Sequence, residues 1–128
     1  MPRLRKLPLT EPVPALPPPA EMWRVAVRAA QEKQAKDIRV LDLRPITAFA
    51  DYFIIASGSN TRQIQTIVDE IEQQLKKQGE RAHSIEGYDN AEWVLMDYGD
   101  YLVHIFSEKA RAYYDLERLW RDAKPVEV

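Results

Sequence analysis

The stretch Asp51–Ala56, DYFIIA, most constrains what this chain can become. It is a near-continuous apolar run without polar alternation, the pattern of a strand covered on both faces. A sheet of such strands needs other elements packed above and below it. The next residues supply one of those layers. Ser57-Gly58-Ser59-Asn60 reads as a turn, after which Ile64, Ile67, Val68, Ile71 and Leu75 recur at helical spacing. Asn60 with Gln63 three residues on has the form of a capping box, and Gly79 stands where a helix would close. The spacing therefore predicts a helix ending at about Gln78.

The flanking segments extend this pattern. Glu21–Lys36 reads as a helix, with Met22, Trp23, Ala26, Val27, Ala29 and Ala30 on its apolar side. Asp37–Leu43 alternates, with Ile38 and Val40 on one face, and reads as a strand ended by the turn at Arg44-Pro45. Arg81–Ile85 is a short strand by the same criterion, followed by the loop Glu86-Gly87-Tyr88-Asp89-Asn90. Trp93–Met96 and Tyr101–Phe106 form the arms of a hairpin about Asp97-Tyr98-Gly99-Asp100, where Gly99 supplies the positive φ of a tight turn. Ser107 caps a last helix running to Trp120, with Ala112, Tyr113, Leu116, Leu119 and Trp120 inward and Glu117 four residues from Arg121. The fold class expected is α/β, a mixed five-stranded sheet flanked by helices. Its domain spans residues 21–123, between a proline-rich tail at 1–20, extended and outside the core, and a loose C-terminus at 124–128.

A chain of 128 residues can bury a real core as one domain. No apolar run approaches the roughly 20 residues that cross a bilayer, and prolines stand where a secretory signal would have its apolar core. The absence of cysteine excludes disulfides, thiolate catalysis and cysteine-based zinc sites, and fits a reducing, cytoplasmic setting. Formal net charge is only −2, so bulk electrostatics does not favour nucleic acid, and little direct binding to it is expected. From Ala82 to Glu108 there is no Lys or Arg, while Glu86, Asp89, Glu92, Asp97, Asp100 and Glu108 all fall there. An acidic, aromatic-bearing surface attracts a basic protein. The competing reading is that these acids are solvated turn residues.

Several candidate chemistries can be weighed residue by residue. Ser57-Gly58-Ser59-Asn60 lies where phosphates bind exposed amides, but it lacks the spacing and the ending of a P-loop. A nucleotidyltransferase would combine Gly58-Ser59 with metal-holding acids on a strand; here Asp69-Glu70 falls within the amphipathic helix. His83 and His104 could join Asp97 or Asp100 on a metal, yet nothing in their spacing demands it. His104 shares a pleat face with Leu102 and Phe106, as a half-buried, hydrogen-bonded structural histidine would. Tyr98, at the turn tip, reads as an exposed protein-contact anchor, whereas Trp93 could serve contact or core. No catalytic set, cofactor or metal is expected.

Taken together, Asp37-Ile38 with Leu41-Asp42, then Asp51–Gly58, Glu86-Gly87, Trp93, Asp97 with Gly99-Asp100, Val103-His104, Tyr114, Leu116-Glu117 and Leu119-Trp120 resemble the ribosomal silencing factor family, also called Iojap-like proteins. The match runs from about Met22 to Arg121. The resemblance implies a nucleotidyltransferase-like sheet without catalysis and a cytoplasmic or organellar setting. It also implies homodimers, and binding of the large ribosomal subunit through ribosomal protein L-fourteen at the intersubunit face. Docking there blocks small-subunit joining and represses translation. Glu86, Trp93, Asp97, Tyr98 and Asp100 are the expected partner-binding residues. The alternatives are a nucleotide-dependent, nucleotidyltransferase-like enzyme and a generic dimeric scaffold.

Overall fold

A computed structural model describes residues 17–128. Most of the proline-rich segment expected as a tail lies outside the described residues; of its last four, Pro17 is buried and Pro19 opens a 3-10 turn, Pro19–Glu21. Helix α1 (Trp23–Glu32) follows, then strands β1 (Lys36–Asp42) and β2 (Tyr52–Gly58), and helix α2 (Thr61–Lys77). Strands β3 (Ser84–Glu86), β4 (Trp93–Asp97) and β5 (Tyr101–Ser107), helices α3 (Glu108–Tyr114) and α4 (Leu116–Leu119), and strand β6 (Lys124–Val126) complete the chain. The sheet has six strands, in the order β3-β4-β5-β2-β1-β6. Among the described residues, only β2 and β5 run parallel, and every other pair is antiparallel.

The apolar run of β2 is buried along its whole length between β5 and β1, as its composition requires. Its alternate side chains serve two cores. Tyr52, Ile54 and Ala56 join Val40, Val94, Met96, Val103 and Ile105 beneath α1 and α2, whose inward residues include Trp23, Ala26, Ile64, Ile67 and Ile71. Phe53 and Ile55 face the other way and join Leu41, Leu43, Leu102, Phe106, Ala110, Leu116 and Ala123. Helix α2 is closed as its sequence predicts. Asn60 Oδ1 accepts from the Gln63 amide at 2.8 Å, Gln63 Oε1 accepts from the Ser59 amide at 2.6 Å, and Gly79 follows the helix at φ +84°.

Three expectations change in the assembled fold. The C-terminus is not loose, because Val40, Leu41 and Asp42 pair with Val126, Pro125 and Lys124. An edge strand offers unpaired backbone groups, and β6 covers those of β1; a proline is tolerated in β6 because that strand is itself the edge. This makes the strand count six rather than five. Helix α1 stops at Glu32, four residues early, since Gln34 adopts positive φ and turns the chain toward β1, where Asp37, also at positive φ, falls at a register irregularity between Lys36 and Arg39. The last helix is broken at Asp115, which sits in the left-handed region at φ 49°, ψ 50°. The break carries Leu116, Trp120 and Ala123 back over the sheet, where Trp120 meets Phe53 edge-on at 5.4 Å. It also redirects Glu117, which takes both prongs of Arg111 at 3.0 and 3.1 Å in place of Arg121. Tyr113 and Leu119, expected inward, are 80% and 72% exposed.

Candidate functional site

Cross-strand register decides which of the candidate residues meet. Glu86 lies opposite Leu95, and Leu95 opposite His104; Trp93 lies opposite Phe106, and Asp97 opposite Leu102. Opposed residues share a sheet face, so Glu86, Trp93, Leu95, Asp97 and His104 all stand on the face away from α1 and α2. Helices α3 and α4 cover the β5–β2 part of that face and leave its β4–β3 end open. Trp93 and Leu95 are accordingly only half-buried, with the exposed carboxylate of Glu86 beside them. Tyr114, half exposed, borders the strip by packing on Trp93 at 4.7 Å.

Tyr98 does not belong to this strip. The alternation of β4 continues one step beyond its end, so Val94, Met96 and Tyr98 all point beneath the helices. Tyr98 is 6% exposed and stacks on Tyr101 at 5.2 Å with the planes 11° apart. Burial, followed by the carboxylates of Glu72 and Glu80, raises its pKa above the ordinary tyrosine value, so it stays neutral. The expectation of an exposed anchor at the turn tip is thereby corrected; the spacing of two from Met96, itself two from Val94, was the signal for it. Asp97 is partly occupied within its own turn, accepting from the Gly99 amide at 2.8 Å. Asp100 stays exposed, and its carbonyl accepts from the Asp51 and Tyr52 amides at 2.7 and 3.3 Å, which ties the hairpin turn to the start of β2.

Trp93 is held from several sides. Its indole Nε1–H donates to His104 Nδ1 at 3.1 Å, and its ring lies against Phe106 at 5.1 Å. The loop before it is pinned to α2. The Tyr88 hydroxyl donates to the Asp69 carboxylate at 2.9 and 3.1 Å, and Gln65 Nε2 donates to the Tyr88 carbonyl at 3.0 Å. Gly87, at φ +83°, lies so close that a Cβ there would collide with the Trp93 carbonyl oxygen. After β5, Ser107 Oγ accepts from the Ala110 amide at 3.0 Å, capping α3, and donates to Glu92 at 2.7 Å.

His104 is 3% exposed, more deeply buried than the sequence suggests, with Phe53 edge-on at 4.6 Å and Phe106 stacked at 6.3 Å. Burial in this apolar setting lowers its pKa from 6.5 to about 3, so the ring is neutral at physiological pH. Nδ1 is the acceptor, so the proton rides on Nε2, which has no hydrogen-bond partner among the described residues. Leu95 is a contributor that residue-type reasoning passed over, whereas His104, expected as a hydrogen-bonded structural histidine, makes that bond to Trp93. The signal for Leu95 was its spacing of two from Trp93.

Several residues of the other candidate chemistries are occupied by the protein itself. Asp69 receives the Tyr88 hydroxyl, and Glu70 receives Gln74 Nε2 at 2.6 Å. Ser57 is buried at the end of β2, where Arg111 donates to its Oγ at 2.9 Å. Among the described residues, no cluster of three or more His, Asp or Glu is placed to hold a metal ion, and no helix is long and apolar enough to cross a membrane.

In form, this is a three-layer α/β protein whose sheet keeps an aromatic strip open beside acids. Its relatives carry one theme. The signature of a family described as "Ribosomal silencing factor during starvation" matches residues 17–128. The chain is 41% identical over 108 residues to the ribosomal silencing factor of Halalkalibacterium halodurans, covering 84% of this chain and 92% of that one. It is 44% identical over 100 residues to that of Bacillus subtilis, covering 78% and 85%. A crystal structure of a protein from Chromobacterium violaceum superposes with a TM-score of 0.77 at 35% identity, over 83% of this chain and 88% of the other. The chain belongs to the ribosomal silencing factor family.

Proposed function

We propose that this protein silences translation in the cytoplasm by docking on the large ribosomal subunit through the open sheet strip. Its partner is a basic protein of the intersubunit face, ribosomal protein L-fourteen, and occupancy blocks small-subunit joining sterically. No covalent step is involved. One observation carries the reading: Trp93 and Leu95 stand half-exposed on one sheet face with Glu86 and Asp97, in a stretch from Ala82 to Glu108 that contains no Lys or Arg and also holds the exposed Asp100. A half-exposed indole offers a large contact area at low entropic cost, and acids around it steer a basic surface and fix its orientation. A homodimer through the same strip would compete with the ribosome, and sedimentation of the free protein over a concentration range reads that competition directly.

The test is co-sedimentation with purified large subunits, together with an assay of subunit joining. Glu86→Lys with Asp100→Lys alters two exposed carboxylates and leaves the core intact. It should weaken binding most at low salt, where charge steering is least screened. Trp93→Ala should weaken binding at all salt concentrations. Wild-type behaviour in both variants would remove this face from consideration.

A further inference from the structure

The hydrogen bond between Trp93 and His104 ties the half-exposed residue of the strip to a buried one. We propose that His104 is a positioning residue for docking: its Nδ1 takes the indole N–H of Trp93 and fixes which edge of the ring is presented to the partner. The inference rests on the docking reading above and adds to it the chemistry of the partner's side. With Nε1–H engaged inward at 3.1 Å, the part of Trp93 left for a partner is carbon edge and π face. The matching surface therefore offers aliphatic stems or a cationic group over the ring, not an acceptor for the indole N–H.

The geometry favours one ring orientation. Trp93 and Phe106 are cross-strand partners with their rings stacked at 5.1 Å, and Tyr114, itself only 6.4 Å from Phe106, meets the indole from an adjacent side at 4.7 Å. Stacking alone resists tilting but permits the ring to flip about its long direction; a directional bond to Nδ1 removes that freedom. His104 can serve as a constant acceptor because it lies among Phe53, Phe106 and Trp93 and remains neutral at physiological pH. Losing the bond should therefore lower affinity without removing the anchor. The loss expected is about fivefold to tenfold, the scale of one hydrogen bond's net contribution.

The experiment combines a spectroscopic signature with a double-mutant cycle on the full chain. In nitrogen-15 spectra the indole N–H of Trp93, assigned by its absence in Trp93→Phe, should be protected from exchange. In His104→Phe it should shift and exchange rapidly. His104→Asn, whose side-chain oxygen can lie near the position of Nδ1, should restore protection and most of the affinity for large subunits. In a Trp93→Phe background, His104→Phe should change affinity by less than about twofold, because there is no indole left to hold.

A wild-type indole N–H that exchanges freely overturns the proposal. So does a His104→Phe protein that binds as tightly as wild type, or one that loses as much affinity in the Trp93→Phe background as in the wild-type one. If the wild-type protein fails to bind large subunits at all, the docking reading falls and takes this role with it. The indole signal, which needs no ribosome, then shows whether the bond itself exists.

Discussion

Replacing Tyr98 by Phe should make the protein more stable and leave ribosome binding unchanged. The hydroxyl of Tyr98 is buried and, among the described residues, has no hydrogen-bond partner, while its ring stacks on Tyr101. Burying an unpaired hydroxyl costs about 1–3 kcal/mol, and phenylalanine keeps the ring and its stacking while removing that cost. The missing oxygen leaves a space of roughly 10–15 Å³, which at about 24 cal/mol per Å³ takes back about 0.3 kcal/mol. The net expectation is a gain of about 0.7–2.7 kcal/mol, at roughly 3–5 °C in melting temperature per kcal/mol for a domain of this size. Urea unfolding reads it as a higher midpoint at unchanged slope. Co-sedimentation of the same variant with large subunits supplies the second measurement. A loss of 1 kcal/mol or more would mean that the hydroxyl is hydrogen-bonded after all. Loss of binding with the fold intact would mean that Tyr98 touches the partner, as its place in the turn first suggested. Tyr98→Ala cannot make this distinction, since deleting a buried aromatic ring costs about 3–5 kcal/mol by itself.

Two further outcomes follow from buried groups near the strip. Gly87→Ala forces a Cβ into the Trp93 carbonyl at positive φ, so it should cost at least about 2 kcal/mol in urea unfolding and weaken docking by displacing the start of β4; a neutral result would contradict the close approach. His104 makes the protein acid-sensitive. Burial lowers its pKa from 6.5 to about 3 in the folded chain, so between those values the unfolded chain binds a proton that the folded chain does not. Stability should then rise with pH across that window, by up to about 1.4 kcal/mol per unit, giving a loss of about 2 kcal/mol on acidification from 6.5 to 5. Asp42, whose pKa Arg44 lowers below the usual 3.8, adds its own loss only at more acid pH. Unfolding of wild type and His104→Phe between pH 5 and 7 checks this, since equal pH slopes would show that His104 is not buried as a neutral ring.

Much of the fold follows from short-range pattern. The apolar run of β2, the helical spacing of α2 with Asn60 and Gly79 at its ends, and the hairpin of β4 and β5 are each specified within about 20 residues, because backbone geometry and side-chain period act locally. Trp93 and Leu95 share a face for the same reason, and Tyr98 could have been placed by extending that alternation one step further. What depended on distant partners was not legible. Lys124–Val126 has no strand signal of its own and becomes β6 only because β1 offers an unpaired edge. Helical spacing runs on past Asp115, and nothing in it reveals that Glu117 will meet Arg111 or that Leu119 will face solvent.

The site divides along the same line. Composition and alternation, which are properties of the chain alone, already put an aromatic-bearing strand among acids in a stretch that contains no Lys or Arg. Which face of the sheet stays open, and which residues of other strands join Trp93 and Leu95 there, depended on tertiary structure. Register set Glu86 beside Leu95 and His104 across from it, which brought Trp93 to its acceptor. Register is fixed by the whole sheet closing over two cores at once, and a slip of one residue would turn this face inside out.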